Sequence, residues 1–397
     1  MSKWLHVIGI GDDGLDSLSE ATRAVLNDVE VVFGADRHHG LTEALTAERR
    51  AWPSPFNAMI DDLKALRGRR VAVLATGDPL WYSVGARIGR EIGADEVLFH
   101  PQLSAFQLAA CRMGWSLADC ETLTVHGRPV EQMIPFLAPD QKLLLLTQGA
   151  ETPAQVADIL TKRGFGPSRM TVLAHMGGAD EARFDGFAFD WSADVPAFHT
   201  LAVECIAEEG AAILPRTGLP DDAFATDGTM TKQDIRAITL AKLGPVRGGL
   251  LWDVGCGSGS VAIEWMRAAR DARAIGLERR ADRRAMAAEN AIALGAPALK
   301  LMDAEAPDGL ADLPAPDAVF IGGGLSPETV AAAWTALKPH GRLVANAVTL
   351  EGEALLLALH SEMGGDLTRI SVSRAKPVGR LTGWKPSMPV TQWSLTK

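Results

Sequence analysis

Short runs of β-branched and aliphatic residues alternate along the chain with longer Ala-, Leu- and Arg-rich stretches whose apolar positions repeat with a helical period. Gly or Asp bounds many of the short runs, as expected for buried strands that end in turns. Strands that alternate with helices are typical of βα units on a mostly parallel sheet, so the pattern predicts an α/β fold throughout. The predicted strands are 4–10, 29–33, 70–75, 96–99, 142–147 and 170–174 in a first series, and 250–254, 272–277, 298–302, 318–321 and 342–347 in a second.

A stretch rich in Pro, Gly and acidic residues, 214–222, separates the two series of strands and breaks both hydrophobic periods. The length of 397 residues also exceeds that of one ordinary domain, which is about 100 to 200 residues. We therefore predict a domain over residues 1–210, a linker over 211–228 and a second domain over 229–397.

Composition narrows the class of protein but not its chemistry. Charged residues make up 22% of the chain and hydrophobic residues 47%, which is typical of a globular protein. The formal net charge of −10 disfavours binding to nucleic acid and to anionic membranes. We expect no membrane segment, because no apolar run approaches the roughly 20 residues that span a bilayer. The four cysteines lack metal-site or disulfide spacing, so we expect no metal and a cytoplasmic location.

The second series opens with a strand, a glycine-rich turn and the start of a helix. Gly255, Gly257 and Gly259 can turn the backbone sharply and let it approach a ligand. Taken alone, such a turn fits a nicotinamide site or a simple tight turn as well as a methyl-donor site. However, Ser260 stands where a dinucleotide site has its third glycine, and Asp253 would repel phosphates while orienting a cationic amine. The residues therefore favour a methyl donor, S-adenosylmethionine, and the loop resembles that of class I methyltransferases.

Further residues of this half lie at or beside predicted strand ends. Glu278 can accept hydrogen bonds from both ribose hydroxyls, and Asp303 with Ala304 can meet the adenine. Thr231 is a candidate helix N-cap whose hydroxyl can alternatively meet the cofactor. The resemblance to class I enzymes also implies that Gly322 and Gly323 face the substrate, although these glycines fit a structural turn equally well.

The first half resembles the tetrapyrrole methylase family in three segments that occur in the family's order: 7–19, 73–85 and 101–109. Asp12 and Asp13 follow Gly11 where that family usually has Gly-Pro-Gly. The resemblance implies a two-lobed fold with a cleft and a second S-adenosylmethionine site. The cofactor-binding residues that it implies are Gly77, Asp78, Pro79, Ser104 and Ala105.

The order of the two halves resembles the fused decarboxylating precorrin methyltransferases of cobalamin biosynthesis. That resemblance implies one S-adenosylmethionine per domain and methylation of precorrin-6Y at carbons 5 and 15, with loss of carbon dioxide from the ring C acetate to give precorrin-8X. For this anionic tetrapyrrole, Arg374 and Arg380 are candidate ligands, since residues 373–385 carry four basic residues and no acidic ones. A solvated hairpin is the alternative for this stretch. We also expect a homo-oligomer.

Two other functions fit parts of the pattern. One is a methyltransferase that acts on RNA or another small molecule through the second half. The other is a tetrapyrrole-binding module in which one cofactor site is degenerate, as Asp12 and Asp13 allow for the first half. No catalytic residue is assigned, because the candidate histidines have structural or solvent-exposed roles as alternatives; they are His38, His39, His126, His175 and His199.

Overall fold

The computed structural model describes residues 3–397, and the chain folds into two compact units. One unit comprises the described residues up to Val130 together with Leu137–Ala212. The other comprises Glu131–Phe136 and Ile213–Lys397. The helices among the described residues are all too short, or too poor in apolar residues, to cross a bilayer.

The first unit consists of two five-stranded sheets with helices between the strands. Its strands are β1 (Leu5–Ile10), β2 (Val31–Phe33), β3 (Glu48–Arg50), β4 (Val71–Thr76), β5 (Val97–His100), β6 (Cys120–Thr124), β7 (Lys142–Leu146), β8 (Arg169–Ala174), β9 (Ala182–Phe187) and β10 (His199–Glu204). Its helices are α1 (Glu20–Asp28), α2 (Asp36–Gly40), α3 (Met59–Lys64), α4 (Val84–Ile92), α5 (Ala105–Met113) and α6 (Thr152–Lys162).

The first sheet has the order β3-β2-β4-β1-β5 and is parallel throughout. Its central strand β1 is apolar on both faces: Leu5 and Val7 pack into one core cluster, and Ile8 and Ile10 into another. This double burial is what a parallel sheet covered by helices on both faces requires.

The second sheet has the order β6-β7-β10-β8-β9, and only its β6–β7 pair is parallel. The prediction of a mostly parallel sheet is wrong here. The physical reason is that β8 and β9 are joined directly, without a crossover helix, and such a short connection can join only antiparallel strands.

The second unit has one seven-stranded sheet and a separate hairpin. Its helices are α7 (Gln233–Leu243), α8 (Ser260–Ala268), α9 (Ala281–Ala293), α10 (Pro327–Ala336) and α11 (Leu350–Met363). Its strands are β11 (Leu250–Val254), β12 (Arg273–Leu277), β13 (Lys300–Met302), β14 (Ala318–Ile321), β15 (Arg342–Ala347), β16 (Asp366–Ile370), β17 (Ser373–Val378), β18 (Leu381–Pro386) and β19 (Val390–Thr396). The sheet order is β13-β12-β11-β14-β15-β19-β16, in which β13 to β15 are parallel and β19 is antiparallel to both of its neighbours.

All eleven predicted strands are confirmed, with ends displaced by up to two residues. Most of the segment predicted as a linker, 211–228, lies within the second unit, whose longer part begins at Ile213. Its Leu219 and Phe224 are buried in a core cluster with Ile263 of α8 and with Ala291 of α9. These two apolar side chains give that segment a fixed place, because removing them from water stabilises the contact.

Candidate active sites

The glycine turn after β11 is held by backbone contacts. The amides of Gly255 and Cys256 both donate to the Leu277 carbonyl, at 3.0 and 3.1 Å. Gly255 has φ +70°, and a Cβ there would lie 2.7 Å from the Gly323 Cα, so a side chain at this position would displace the backbone. At Gly257, with φ +54°, a Cβ would point into open space, its nearest neighbour being the Thr229 carbonyl at 3.9 Å. The turn therefore leaves room for a ligand beside Gly257.

Asp253 precedes this turn and is 1% exposed. Its Oδ2 accepts a hydrogen bond from the Ala262 amide of α8, at 3.0 Å. Its Oδ1 is buried and has no hydrogen-bond partner among residues 3–397. Burial, reinforced by the nearby Glu278 charge, raises the pKa of Asp253 to about 7. A buried carboxylate oxygen without a partner is costly, and a cationic group would satisfy it.

The strand ends next to Asp253 carry the other predicted acidic residues. Glu278 is 8% exposed and accepts hydrogen bonds from the Gly257 amide at 3.2 Å and from the Arg280 amide at 2.9 Å. Its carboxylate is thus fixed against the glycine turn. Asp303 is exposed and pairs with Arg284 at 2.8 Å, and Ala304 is half-buried at the same strand end. Glu278 is therefore the better placed of the two acidic residues to hold a ligand.

The predicted N-cap role of Thr231 is wrong. Helix α7 is capped by Lys232, with no side-chain hydrogen bond at the cap. Arg236 instead reaches back to the Thr231 carbonyl, at 2.6 Å. The helix begins one residue later than predicted, because its first backbone hydrogen bond runs from the Arg236 amide to the Lys232 carbonyl, at 2.8 Å. A contact of the Thr231 hydroxyl with the cofactor stays a prediction.

The glycines after β14 lie against the turn. The amides of Gly322 and Gly323 both donate to the Val254 carbonyl, at 3.0 and 3.2 Å. Gly323 is also the residue that a Cβ on Gly255 would strike. The close approach of these two strand ends therefore requires the absence of a side chain at Gly255, and contact of Gly322 and Gly323 with substrate stays a prediction.

Asn290 was not found from the sequence, although it connects three parts of this site. It is 3% exposed, its Oδ1 accepts from the Ala225 amide at 2.8 Å, and its Nδ2 donates to the carbonyls of Ala225 and Ser258, both at 2.9 Å. One buried side chain on α9 thus fastens residue 225 to the glycine turn. In the sequence alone an Asn within a helix does not indicate this role, because its hydrogen-bond partners are not known.

In the first unit, the structure brings the three family-like segments together at one sheet edge. The first two begin within β1 and β4 and the third begins directly after β5, and these strands are neighbours in the order β4-β1-β5. A Cβ on Gly9 would lie 2.2 Å from the Gly77 carbonyl oxygen and 2.8 Å from the Gln102 Cβ. Gly77 itself has φ +63° and donates to the Ile10 carbonyl at 2.9 Å. The absence of side chains at Gly9 and Gly77 is what lets the segments converge.

The polar side chains predicted for this site also shape its backbone. Asp78 accepts from the Leu80 amide at 2.7 Å, which stabilises the turn. Ser104 is the N-cap of α5 and forms a capping box with Gln107, and Ala105 is the first residue of that helix. Pro79 is buried in the same loop. Contacts of these residues with a cofactor stay predictions.

Asp12, where the sequence departs from the family pattern, has a hydrogen-bond partner on each of its carboxylate oxygens. Its Oδ1 accepts from Arg37 Nη2 at 2.7 Å and Nε at 3.1 Å, and its Oδ2 lies 3.0 Å from His175 Nδ1. Burial alone would raise the pKa of Asp12, but the hydrogen bonds from Arg37 and His175 outweigh it and lower that pKa. The guanidinium of Arg37 also lies over the Phe198 ring, 4.0 Å from its centre. Asp12 is therefore ionised and holds Arg37 in place.

The two predicted substrate arginines lie on the β17–β18 hairpin, as the alternative interpretation of residues 373–385 anticipated. Arg374 pairs with Asp234 in the first turn of α7. Arg380 is exposed in the turn between the two strands. Arg374 therefore already has an acidic partner, whereas the exposed Arg380 is accessible to a ligand.

Comparison with known protein families assigns the two halves of the chain to two different families. Residues 4–190 match the family described as Tetrapyrrole (Corrin/Porphyrin) Methylases, and residues 222–397 match the one described as Precorrin methyltransferase domain. The solved C-terminal domain of precorrin-6Y C5,15-methyltransferase from Rhodobacter capsulatus is 49% identical; it covers 46% of this chain and 100% of its own, with a TM-score of 0.44.

Two full-length relatives carry the same name, Precorrin-6Y C(5,15)-methyltransferase [decarboxylating]. The one from a Sinorhizobium species is 46% identical over 401 residues, covering 100% of this chain and 97% of the relative. The one from Mycobacterium tuberculosis H37Rv is 38% identical over 398 residues, covering 98% of this chain and 99% of the relative. Since the similarity covers 98% or more of this chain and therefore both units, the chain belongs to the family of decarboxylating precorrin-6Y C(5,15)-methyltransferases.

Proposed function

We propose that this chain transfers methyl groups from S-adenosylmethionine to carbons 5 and 15 of precorrin-6Y and removes the ring C acetate carboxyl as carbon dioxide, giving precorrin-8X. One observation carries the proposal. Each unit separately brings glycine-bearing ends of adjacent parallel strands to one sheet edge, the place where α/β folds bind ligands, within a chain that matches the family end to end. By resemblance, the first unit methylates carbon 5, and the second methylates carbon 15 and decarboxylates.

The second unit has groups that fit the methyl donor. The partnerless Asp253 Oδ1 suits a cationic amine, the open space beside Gly257 suits a ligand close to the backbone, and the Glu278 carboxylate suits a pair of ribose hydroxyls. Asp303 and Ala304 lie at the next strand end, where the adenine would be held. When bound, S-adenosylmethionine supplies an electrophilic methyl group on a sulfonium.

The first unit would hold a second donor beside Gly77, giving one per unit. Backbone groups dominate there, because the side chains of Asp78 and Ser104 are engaged in the turn and the cap. Methyl transfer to an electron-rich ring carbon needs no strong nucleophile from the protein. The main task of both units is therefore to orient the reactants, which lowers the barrier by reducing the entropy lost in the transition state.

The macrocycle carries several carboxylates, which the acidic chain must accommodate locally. We propose that Arg374 and Arg380 bind them and that Gly322 and Gly323 allow the flat ring to approach the turn. Loss of carbon dioxide leaves an electron pair that the conjugated macrocycle can accept.

The proposal is tested by mass analysis of precorrin-6Y after incubation with the protein and S-adenosylmethionine. The expected product has gained two methyl groups and lost one carboxyl. Glu278→Ala should abolish methylation at carbon 15 while carbon 5 is still methylated, and Gly77→Val should give the converse. Loss of both activities in each variant would contradict separate sites.

Calorimetric titration with S-adenosylhomocysteine separates the alternatives. Two sites per chain support the bifunctional enzyme, and one site supports a first or second unit that only binds tetrapyrrole. An enzyme that methylates RNA would leave the macrocycle unchanged.

We further propose a homo-oligomer in the cytoplasm that does not bind nucleic acid. The exposed Leu381 and Trp384 on β18, 78% and 77% accessible, support self-association. The net charge of −10 supports the absence of nucleic-acid binding. The scattered free cysteines support a cytoplasmic location. Light scattering of the purified chain would test its oligomeric state.

A further inference from the structure

Thr76 presents an unusual hydroxyl at the candidate site of the first unit. It is the last residue of β4, lies opposite Ile10 of β1 and immediately precedes Gly77. Its side chain is exposed, yet its Oγ1 lies 2.9 Å from His38 Nε2 and 3.2 Å from Arg37 Nη1. The hydroxyl therefore stands between two nitrogen atoms of the protein and open space.

The direction of both hydrogen bonds follows from the nitrogen atoms. A guanidinium can only donate, so Arg37 donates to Thr76. The Ala35 amide donates to His38 Nδ1 at 3.2 Å, so a neutral His38 ring carries its proton on Nε2 and also donates to Thr76. Burial, with a smaller effect of the Arg37 charge, lowers the pKa of His38 to about 4, which keeps the ring neutral at physiological pH. The Thr76 oxygen thus accepts twice.

The hydrogen of the Thr76 hydroxyl is left for another acceptor, and the structure provides none for it between residues 3 and 397. Accepting two hydrogen bonds, one of them from a cation, polarises the hydroxyl and makes it a stronger donor. A guanidinium next to it favours an anionic acceptor over a neutral one.

The two donors are themselves firmly placed. Asp12 binds the Nε and Nη2 of Arg37, and Phe198 lies over its guanidinium, so Nη1 is directed to Thr76. His38 is 7% exposed and is held by the Ala35 amide. Asp12, Arg37 and His38 are therefore positioning residues, which explains why an acidic residue at position 12 is compatible with a working site.

We infer that the Thr76 hydroxyl donates a hydrogen bond to a carboxylate oxygen of a ligand bound beside Gly77. The inference rests on the proposed function, in which two ligands carry such a group: the α-carboxylate of the methyl donor and the side-chain carboxylates of the macrocycle. Both offer the same chemistry to Thr76, and binding measurements distinguish them.

Thr76→Val removes the hydroxyl while keeping the shape and strand preference of the side chain, and Thr76→Ser keeps the hydroxyl as the matched control. Both are made in a Glu278→Ala background, so that binding reports on the first unit. S-adenosylhomocysteine and 5′-methylthioadenosine, which lacks the carboxylate, are titrated by calorimetry. The KM for macrocycle methylation at carbon 5 is measured by mass analysis.

If Thr76 holds the donor's carboxylate, Thr76→Val weakens S-adenosylhomocysteine binding by about 10-fold or more and leaves 5′-methylthioadenosine unaffected. If it holds a macrocycle carboxylate, the KM rises by a similar factor and neither nucleoside is affected. Either result, with Thr76→Ser close to the parent chain, supports the inference. The inference is overturned if methylation at carbon 5 continues and the dissociation constants and KM of Thr76→Val are unchanged. It is also overturned if Thr76→Val and Thr76→Ser weaken binding equally. If the chain without any of these substitutions does not methylate carbon 5, that result overturns the proposed function instead.

Discussion

Replacing Asp253 by Asn should stabilise the second unit at alkaline pH and weaken its cofactor binding. The folded chain resists ionisation of this carboxyl, because it is buried with one oxygen unpaired and its pKa is raised to about 7. In the unfolded chain the same carboxyl ionises near its ordinary pKa of about 3.9. The raised pKa therefore makes a stabilising contribution that is fully present below pH 4 and is lost as the pH rises towards 7.

The size of the effect follows from the pKa displacement. Each pH unit inside that window costs the native chain about 1.4 kcal/mol, so between pH 5 and pH 8 the loss from Asp253 is about 3 kcal/mol. Asn is similar in size, keeps an oxygen for the Ala262 amide and does not titrate. The free energy of unfolding of Asp253→Asn relative to the parent should thus rise by about 3 kcal/mol from pH 5 to pH 8.

Hydrogen exchange followed by mass spectrometry measures this locally, through the slowest amides of β11 and α8, with peptides from β4 as an internal reference. Asp317→Asn is the matched control in the same unit. Burial would raise the pKa of Asp317, but Lys338 and the Leu250 amide outweigh it and lower that pKa, so its substitution should destabilise the unit at neutral pH. Titration with S-adenosylhomocysteine should show weaker binding by Asp253→Asn. A parent and an Asp253→Asn variant with the same pH dependence would refute the reasoning.

Three further predictions concern the second unit. Glu264→Gln removes the fully buried one of the two carboxylates that pair with Arg236 and leaves only the half-buried Asp221, at 3.3 Å, so it should lower the unfolding free energy by about 3 to 5 kcal/mol; calorimetric unfolding that shows no shift would contradict this. Asn290→Ala removes the hydrogen bonds that join Ala225 to Ser258 and should weaken S-adenosylhomocysteine binding several-fold without touching the ligand, whereas an unchanged Kd would show that the turn needs no such support. Arg374→Ala and Arg380→Ala should each raise the KM for the macrocycle and leave S-adenosylhomocysteine binding intact. Unaltered KM values in both variants would show that the β17–β18 hairpin does not bind the substrate.

The parts of the fold that were predictable from the sequence are those set by local physics. Strand β14 is a continuous apolar run and β11 is apolar except for Asp253, and the turns after them need glycine because of a positive φ or a close approach, as at Gly255. The antiparallel strand β9 was missed because it alternates exposed and half-buried residues and lacks an apolar run. Asn290 and Arg236 were missed because their roles depend on partners far away in the sequence.

The acidic residues that accompany the two glycine turns are in opposite electrostatic states. Asp12 is paired by Arg37 and His175 from its own unit, so its charge is already compensated and the group it leaves exposed is a donor, the Thr76 hydroxyl. Asp253 receives one amide and no cation from residues 3–397, so its charge is uncompensated and destabilises the unit. A bound cation would offset this destabilisation, since a cation that binds only the folded state stabilises it. We therefore expect the second turn to bind a cationic group, and the first to donate a hydrogen bond to an anionic one.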